Sequence, residues 1–336
     1  MSSPANNPRR RNRGVKPPHP QSTVTTPWNF TLRDWRQIAF RVVSQIQYDN
    51  VSVVAAGVAF FSLLAVFPLI TAGISIYGFF ADPSDVQGLL ASVSSVLPRD
   101  AWNVLNDQIN AVVNAPTGNL GLGIAIGLLI ALWSAGAGVR AIMRAMNIAY
   151  GEQENRSFAA FYAIAGSMTL SMIIFMWVAL VVIIGVPAIL NFLKLSGAVE
   201  TFTRVLPWLL LVSMFGFASG ILYRFGPSRR PAKKRWVFPG IVFTTIAWLG
   251  LSYGFSKFVA YFGQYNATYG SLSAVILLLI WFWLTAFVVI VGAELNAEME
   301  RQTTADTTRG PDRPLGERGA AMADFVNAAH PNKKTI

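Results

Sequence analysis

The strongest constraint on this 336-residue chain is the absence of charged side chains from six long stretches of it. No Asp, Glu, Lys or Arg occurs in residues 50–81, 108–139, 157–193, 205–223, 236–256 or 258–293. About 18 uncharged apolar residues already make a candidate for a bilayer-spanning helix, so all six stretches qualify, the fourth narrowly. The sequence therefore predicts an all-α, polytopic membrane protein with six transmembrane helices.

The composition points to the same class of protein. Charged residues make up 13% of the chain and hydrophobic residues 53%, whereas a soluble domain is about 25% charged. Too few charged groups are present to cover the surface of a soluble protein of this size. The chain has no cysteine, which excludes a disulfide scaffold, a zinc–thiolate site and an iron–sulfur cluster.

The positive charges predict how the spans are oriented. Of the 27 Lys and Arg residues, 23 lie in residues 1–49, 140–156, 224–235 and 294–336, which six alternating spans place on one face. Cytoplasmic loops are the ones rich in Lys and Arg, so we expect both termini to be cytoplasmic. The net charge of +11 is then mainly a topology signal and a contact with anionic inner-leaflet lipids, and no nucleic-acid partner is predicted.

The chain divides into a membrane domain between two polar tails. Residues 1–27 are predicted to be a disordered cytoplasmic tail, residues 28–300 the membrane domain, and residues 301–336 a second disordered cytoplasmic tail. An amphipathic helix that begins near Thr31 and carries Trp35 is expected to lie in the membrane interface. The predicted spans are at about 51–80, 119–140, 158–190, 205–224, 237–257 and 271–294, with an external helical segment at 82–114.

The residue types leave little room for enzyme chemistry. The two histidines, His19 and His330, both lie in the predicted tails. Imidazole base catalysis, thiol chemistry and a histidine-ligated metal site are therefore not expected, and neither a cofactor nor a metal is predicted. A carboxylate-only metal site remains an alternative, with Glu152, Glu154 and Glu294 among its candidate ligands. No Walker lysine motif is present, so ATP is not expected to drive this chain directly.

The candidate functional residues lie at the predicted cytoplasmic ends of the second and sixth spans. Arg140, Arg144 and Asn147 share one helix face, because they are spaced four and seven residues apart. Charges at the membrane edge usually face a water-filled interior or pair with one another. The sequence therefore predicts a cytoplasmic vestibule that contacts an anionic substrate such as a lipid phosphate. The alternative is a set of snorkelling side chains whose salt bridge only fixes the topology.

The remaining members of this candidate site come from two other segments. Glu294 and Asn296 leave the sixth span at the same membrane face, and Arg156 offers a third cation nearby. An ion pair between Glu294 and Arg140 or Arg144 is predicted from this placement. Pro68 and Pro187 interrupt the first and third spans, and each is predicted to bend its helix because proline removes a backbone hydrogen bond.

Several short motifs, in order, resemble the YihY/BrkB family of bacterial inner-membrane proteins. The resemblance covers roughly residues 35–301 and leaves out only the two tails. The motifs are residues 55–64 (AAGVAFFSLL) with Phe67-Pro68, 132–134 (LWS), 147–150 (NIAY), 222–227 (LYRFGP), Trp236 with Pro239-Gly240, 269–272 (YGSL) and 292–296 (GAELN).

The resemblance implies a six-span protein of the bacterial cytoplasmic membrane. Family members once carried a ribonuclease label, and some are linked to virulence or to the export of lipid A precursors. We therefore expect a non-enzymatic transporter, or flippase-like exporter, of a lipid or amphipathic anion, with membrane lipids as partners and a homo-oligomer as one form it could take. A non-transporting envelope scaffold is the second hypothesis, and a membrane-bound nuclease is the third.

Overall fold

The computed structural model describes residues 24–80, 120–180, 198–262 and 271–325. Within those ranges the fold is all-helical, as predicted, and one isolated extended pair joins Ala232 to Thr308. A 3-10 turn at Pro27–Asn29 precedes eight α-helices. They are α1 (Leu32–Tyr48), α2 (Val51–Phe80), α3 (Leu120–Ala149), α4 (Phe158–Leu180), α5 (Ala198–Phe225), α6 (Lys234–Phe262), α7 (Ser271–Arg301) and the short α8 (Ala321–Asp324).

Helices α2 to α7 fall on the six uncharged stretches in the predicted order. Among the residues whose surroundings are described, four segments are long and apolar enough to cross a membrane. These are Phe158–Phe175, Trp208–Phe225, Lys234–Tyr261 and Val275–Arg301. Helix α1 and the first half of α2 meet at 62° and would count as a fifth, broken span. Six spans, cytoplasmic termini and an interfacial α1 remain predictions.

The junction between α1 and α2 is built by local hydrogen bonds. Thr31 and Asp34 form a reciprocal capping box at the start of α1, which satisfies amide groups that have no helical partner. At the other end Asp49 closes α1, and Asn50 follows with φ +50°. Asn is among the few non-glycine residues that tolerate this left-handed conformation. The helix axis therefore turns sharply between α1 and α2.

Small residues set the distances between several helices. A Cβ on Gly138 of α3 would lie 3.3 Å from the Ser62 backbone of α2, so these two helices nearly touch. Gly216 and Gly220 of α5 both face Ile241 of α6. In membranes, where lipid is as apolar as the side chains, close packing of this kind is the main force that joins helices.

Helices α6 and α7 approach most closely around Gly292. A Cβ there would overlap the hydroxyl groups of Thr244 and Tyr223. The Tyr223 hydroxyl donates to the Val289 carbonyl at 2.8 Å and lies 2.6 Å from the Thr244 hydroxyl, all fully buried. These polar contacts join α5, α6 and α7 in the interior of the bundle.

The polar side chains gather at one end of the bundle, where α3, α5 and α7 end and α4 and α6 begin. We call this region the ionic end. It includes an ion pair of Arg229 with Glu300 at 2.7 Å and another of Arg41 with Glu298 at 2.6 Å. The main hydrophobic core lies directly beneath it and joins α1, α2, α3, α5, α6 and α7.

The prediction of a disordered tail from residue 301 onward was wrong for residues 302–325. This segment folds back across the ionic end, and Thr307 is fully buried with its hydroxyl 2.7 Å from Glu300. The Arg318 guanidinium is inserted among four backbone carbonyls, with distances of 2.6 to 3.2 Å. The polar composition was misleading because these groups are satisfied by one another and by the backbone rather than by water.

Some predictions fall where little or nothing is described. Helix α2 continues past Pro68 to Phe80, but the side chains of residues 66–80 are not described, so bending at Pro68 stays a prediction. Pro187, the external segment 82–114, the tail up to residue 23 and residues 326–336 lie outside the described residues.

Candidate anion site

The predicted site residues do not form one cluster, and the predicted ion pair of Glu294 with Arg140 or Arg144 is absent. The Arg140 guanidinium instead lies 4.9 Å from the Trp133 ring centroid and 5.2 Å from that of Tyr162. It also donates to the Trp133 carbonyl at 3.1 Å. Cation–π contacts therefore hold the Arg140 side chain between α3 and α4, with its guanidinium directed towards Trp133, about two turns earlier in α3.

Arg144 and Arg156 both contact the ring of Phe161. Their guanidinium carbons are 5.9 Å and 5.5 Å from the Phe161 centroid. Phe161 is buried in a small second core with Val139 and Met143 of α3. This ring therefore brings both cations to the start of α4.

Asn147 and Arg156 connect the end of α3 to the segment after α5. The Asn147 amide donates to Glu154 at 2.9 Å, and its oxygen accepts from the Ser228 amide at 2.7 Å. Arg156 contacts Glu154 through two nitrogens at 2.6 Å and donates to the Gly226 carbonyl at 2.9 Å. Hydrogen bonds from Arg156 lower the pKa of Glu154 to about 2. The carboxylate therefore stays ionised and holds Arg156 in place.

A cavity of about 570 Å³ lies between α4 and α5 at the ionic end. Its polar wall carries three arginines, and its apolar wall is formed by aliphatic side chains of both helices. The lining residues include Arg156, Arg224, Arg229, Ile164, Met168 and Ile221. Ser167 and Ser171 line it from exposed positions on α4, so the cavity opens at the surface of the bundle.

Two of the three arginines have a donor nitrogen from which no residue of the described ranges accepts a hydrogen bond. The buried Nε of Arg224 has no hydrogen-bond partner there, and neither does Nη1 of Arg229. Only 1% of the Arg229 side chain is exposed, and its Nη2 is held by Glu300. Burial alone would lower the pKa of Arg229, but the Glu300 carboxylate outweighs it and raises the pKa further. Arg229 is therefore a permanent cation beside the cavity.

Sequence reasoning missed Arg224 and Arg229 as site residues. Both lie in a basic stretch that was attributed to membrane topology, and Arg224 lies within one of the family-like motifs. The useful signal was the adjacency of that motif, residues 222–227, to the basic loop. The role of Arg156 beside them could not be predicted, because Arg156 is distant in sequence and reaches this segment only in the folded protein.

Asn296 and Glu294 lie deeper, away from the cavity lining. The Asn296 side-chain oxygen accepts from the Gly240 amide at 2.9 Å, and both residues are buried between α6 and α7. Glu294 is fully buried, and neither of its carboxylate oxygens has a hydrogen-bond partner among the described residues. Asn296 therefore joins two helices, and neither residue lines the cavity.

The cavity has the chemistry of an anion site rather than a metal site. Three arginines line it, and arginine presents fixed donor pairs that match phosphate and carboxylate oxygens. Across the part of the chain that the structure describes, no three Asp, Glu or His side chains are arranged to hold a metal ion.

The helices and their apolar surfaces define the class of this molecule as a multi-pass bacterial membrane protein. The sequence profile of the virulence factor BrkB family matches residues 42–316, and the chain therefore belongs to that family. It is 31% identical over 252 residues to the ribonuclease-like protein YfkH of Bacillus subtilis, covering 74% of this chain and 90% of that protein.

Other relatives are described only as membrane proteins. A UPF0761 membrane protein of Pseudoalteromonas translucida is 23% identical over 286 residues, which cover 84% of this chain and 90% of the relative. A second, from Pseudoalteromonas atlantica, is 25% identical, with 81% and 90% covered. No solved structure matches the chain.

Proposed function

We propose that the protein is a flippase-like transporter of lipids with an anionic headgroup, and that the basic cavity between α4 and α5 binds that headgroup. The observation that carries the proposal is the buried Arg229 Nη1, a charged donor without an acceptor in the described residues, in the wall of this cavity. A buried charged donor is costly unless something accepts from it. A lipid phosphate supplies that acceptor.

The shape of the cavity suits an amphipathic ligand better than a small ion. A volume of about 570 Å³ accommodates a headgroup with its glycerol. Ile164, Met168 and Ile221 form the apolar wall, against which the start of an acyl chain would pack. Exposed apolar side chains such as Leu170 and Phe217 continue from the cavity along α4 and α5. The ligand would keep its tail in lipid while its headgroup is bound.

The predicted orientation places this cavity at the inner leaflet. The positive-inside distribution assigns residues 140–156 and 224–235 to the cytoplasmic face, and all three arginines lie in these segments. Anionic lipids reach that face by lateral diffusion, and the arginines would attract them.

The test is lipid movement in proteoliposomes that contain the full chain. We expect fluorescent phosphatidylglycerol to cross the bilayer faster than in empty liposomes, and fluorescent phosphatidylcholine to cross more slowly. Arg224→Gln removes one cation without breaking a hydrogen bond of the described residues. Loss of a charge-assisted hydrogen bond between this side chain and the headgroup should slow the movement of phosphatidylglycerol across the bilayer by about tenfold or more.

Arg235→Gln is the matched control. Arg235 is exposed and does not line the cavity, and the substitution removes the same single positive charge. Equal rates in Arg224→Gln and the wild type would contradict the headgroup site. Movement no faster than in empty liposomes, from a correctly folded protein, would favour the scaffold hypothesis. Cleavage of RNA by the same preparation would favour the nuclease hypothesis that the name of the Bacillus relative suggests.

A further inference from the structure

Arg140 lies on α3 with its side chain directed away from the ionic end. A Cβ on Gly136, one turn earlier in the helix, would lie 2.7 Å from Nη1 of Arg140, so the guanidinium rests against that glycine. Its Nη2 donates to the carbonyl of Trp133, which is seven residues, or about 10 Å, further from the ionic end. Arginines at a membrane edge usually extend towards water. Arg140 instead extends towards the middle of the span that is predicted at 119–140.

The charge of Arg140 has no acidic partner in the part of the chain that the structure describes. Its contacts there are the Trp133 carbonyl at 3.1 Å and the rings of Trp133 and Tyr162. A guanidinium has five N–H donors, so most of those on Arg140 are not used by the described residues. Other arginines at this end of the bundle each bind a glutamate, namely Arg41, Arg156 and Arg229.

Arg144 is a second cation of this kind, one turn closer to the ionic end. It is exposed, it forms no ion pair with an acid of the described residues, and its guanidinium carbon lies 5.9 Å from the Phe161 centroid. Phe161 and Tyr162 are adjacent in α4, and their ring centroids are 5.7 Å apart. The two arginines therefore lie on neighbouring rings at the start of α4. Arginine presents paired donors that match phosphate oxygens.

The surface around these two cations is apolar and exposed. Trp133 stacks on Tyr162 with ring centroids 5.2 Å apart, and Phe158 packs on Tyr162 at 4.3 Å. Trp133 is 58% exposed and Phe158 is 74% exposed, and α4 from Phe158 onward is apolar enough to cross a membrane. An anion that binds here needs an apolar part that stays in lipid. The surroundings therefore favour the phosphate of a lipid over a soluble phosphate ion.

We propose that Arg140 and Arg144 form a second binding site for the phosphate of an anionic lipid, on the membrane-facing surface of α3 and α4 and separate from the cavity. Neither arginine lines the cavity. A charged donor that faces an apolar medium is costly unless something accepts from it. The lipid phosphate is the acceptor that the described residues do not supply to Arg140.

The role of this second site in transport rests on the proposed function. Arg156 lines the cavity, and its guanidinium carbon lies 5.5 Å from the same Phe161 ring that Arg144 contacts. This ring therefore links the two sites. The headgroup has two positions, one on the membrane-facing surface and one in the cavity, and it moves from one to the other past Phe161.

The site is tested by identifying the lipids that lie beside it. In the full chain, Phe158 is replaced by the photoreactive amino acid p-benzoylphenylalanine, and the protein is placed in vesicles of phosphatidylglycerol and phosphatidylcholine. Illumination attaches nearby lipids to the protein, and mass spectrometry identifies them. Phe158 reports on this surface because it is exposed and packs on Tyr162. We expect phosphatidylglycerol to be enriched there by about fivefold or more over its share of the vesicle.

Ile246, exposed on α6, is the control position, where the same photoreactive amino acid should attach the two lipids in proportion to the vesicle. Arg140→Gln should reduce the enrichment at residue 158 to the level at residue 246. Arg144→Gln, at an exposed position, should reduce it as well. Arg36→Gln removes the same charge from an exposed position on α1 and should leave it unchanged. Arg224→Gln should slow lipid movement without changing this enrichment, because Arg224 lines the cavity.

Equal shares of phosphatidylglycerol at residues 158 and 246 would overturn the proposal, as would an enrichment that survives in both Arg140→Gln and Arg144→Gln. Loss of the enrichment in Arg224→Gln would also overturn it, because the two sites would then be one. Loss on adding inorganic phosphate at constant ionic strength would overturn it in favour of a site for a soluble anion. If the enrichment behaves as expected but no lipid moves, the proposed function fails while the second site stands.

Discussion

The two sides of the bundle are packed in opposite ways. Where α6 crosses α7, Gly292 lies against Tyr223 and Thr244 so closely that a single methyl group has no space. Between α4 and α5, by contrast, lies a cavity of about 570 Å³. The same end of the molecule is therefore rigid on one side and open on the other.

This difference indicates which part holds the fold and which part is available to a ligand. The main core includes buried side chains from six of the long helices, whereas the core beside the cavity contains Val139, Met143, Phe161, Ala165 and Met168. Binding sites commonly lie in the less stable part of a protein, and the packed side positions them. Substitutions should accordingly divide into those that unfold the protein and those that only change the cavity.

The largest effect is expected from Glu300→Ala on the packed side. This change leaves the Arg229 guanidinium buried without its carboxylate, and it removes the acceptor of the Thr307 hydroxyl. Breaking a buried ion pair in this way should lower the free energy of unfolding by about 3–5 kcal/mol. Thermal unfolding in detergent measures it. A change as small as that of an exposed acid such as Glu317→Ala would contradict the ionic end as a structural support.

The next effect is expected from Gly292→Ala. Its methyl group would overlap Thr244 and Tyr223, so α6 and α7 must separate, which should lower the free energy of unfolding by about 1–3 kcal/mol. Gly250→Ala on α6 is the control, because its added methyl group meets no heavy atom within 4 Å. Equal stability of the two variants would show that the close crossing does not matter.

On the open side a much larger change should be tolerated. Ser171→Phe points a ring into the cavity from an exposed position on α4 and should alter the free energy of unfolding by less than about 0.5 kcal/mol. The ring fills space that the headgroup would use, so phosphatidylglycerol movement should fall to the rate of empty liposomes. A variant that unfolds instead would mean that this side is as tightly packed as the other.

The smallest effect is a pH dependence from the Glu154–Arg156 pair. The pKa of Glu154 falls from 4.5 to about 2 on folding, so the pair stabilises the protein above about pH 4.5 and loses that contribution as the pH falls towards 2. Because the pair is partly exposed and screened by solvent, we expect about 1 kcal/mol or less. Unfolding midpoints of the wild type and Glu154→Gln should converge in acid. Parallel curves down to low pH would contradict this contribution.

Much of the fold was predictable because lipid imposes simple rules. Charge-free stretches mark helices, and the structure places α2 to α7 on them. Gly216 and Gly220 lie four residues apart on one helix face, a spacing that favours close contact between helices, and both face Ile241 of α6.

Other features depend on contacts between distant segments, which no local pattern contains. Arg140 was expected to pair with Glu294, but Trp133 and Tyr162 offered nearer ring faces. The cavity itself depends on how far α5 lies from α4, and side-chain composition does not fix that distance. The ordered residues 302–325 look like a tail in sequence, because part of their backbone is paired with Arg230 and Lys233, which are distant in sequence.

The return of residues 302–325 to the loop after α5 has a consequence for biosynthesis. The Lys233 amide donates to the Thr307 carbonyl, and the Arg230 amide donates to the Gly319 carbonyl. A ribosome that has finished α5 and α6 therefore leaves this loop without its partners until translation passes residue 319. Chains are made at about 5–20 residues per second, so this loop stays without those partners for several seconds after α5 and α6 are synthesised. Synthesis of residues 302–319, rather than insertion of α5 and α6, therefore completes the hydrogen bonding of the loop.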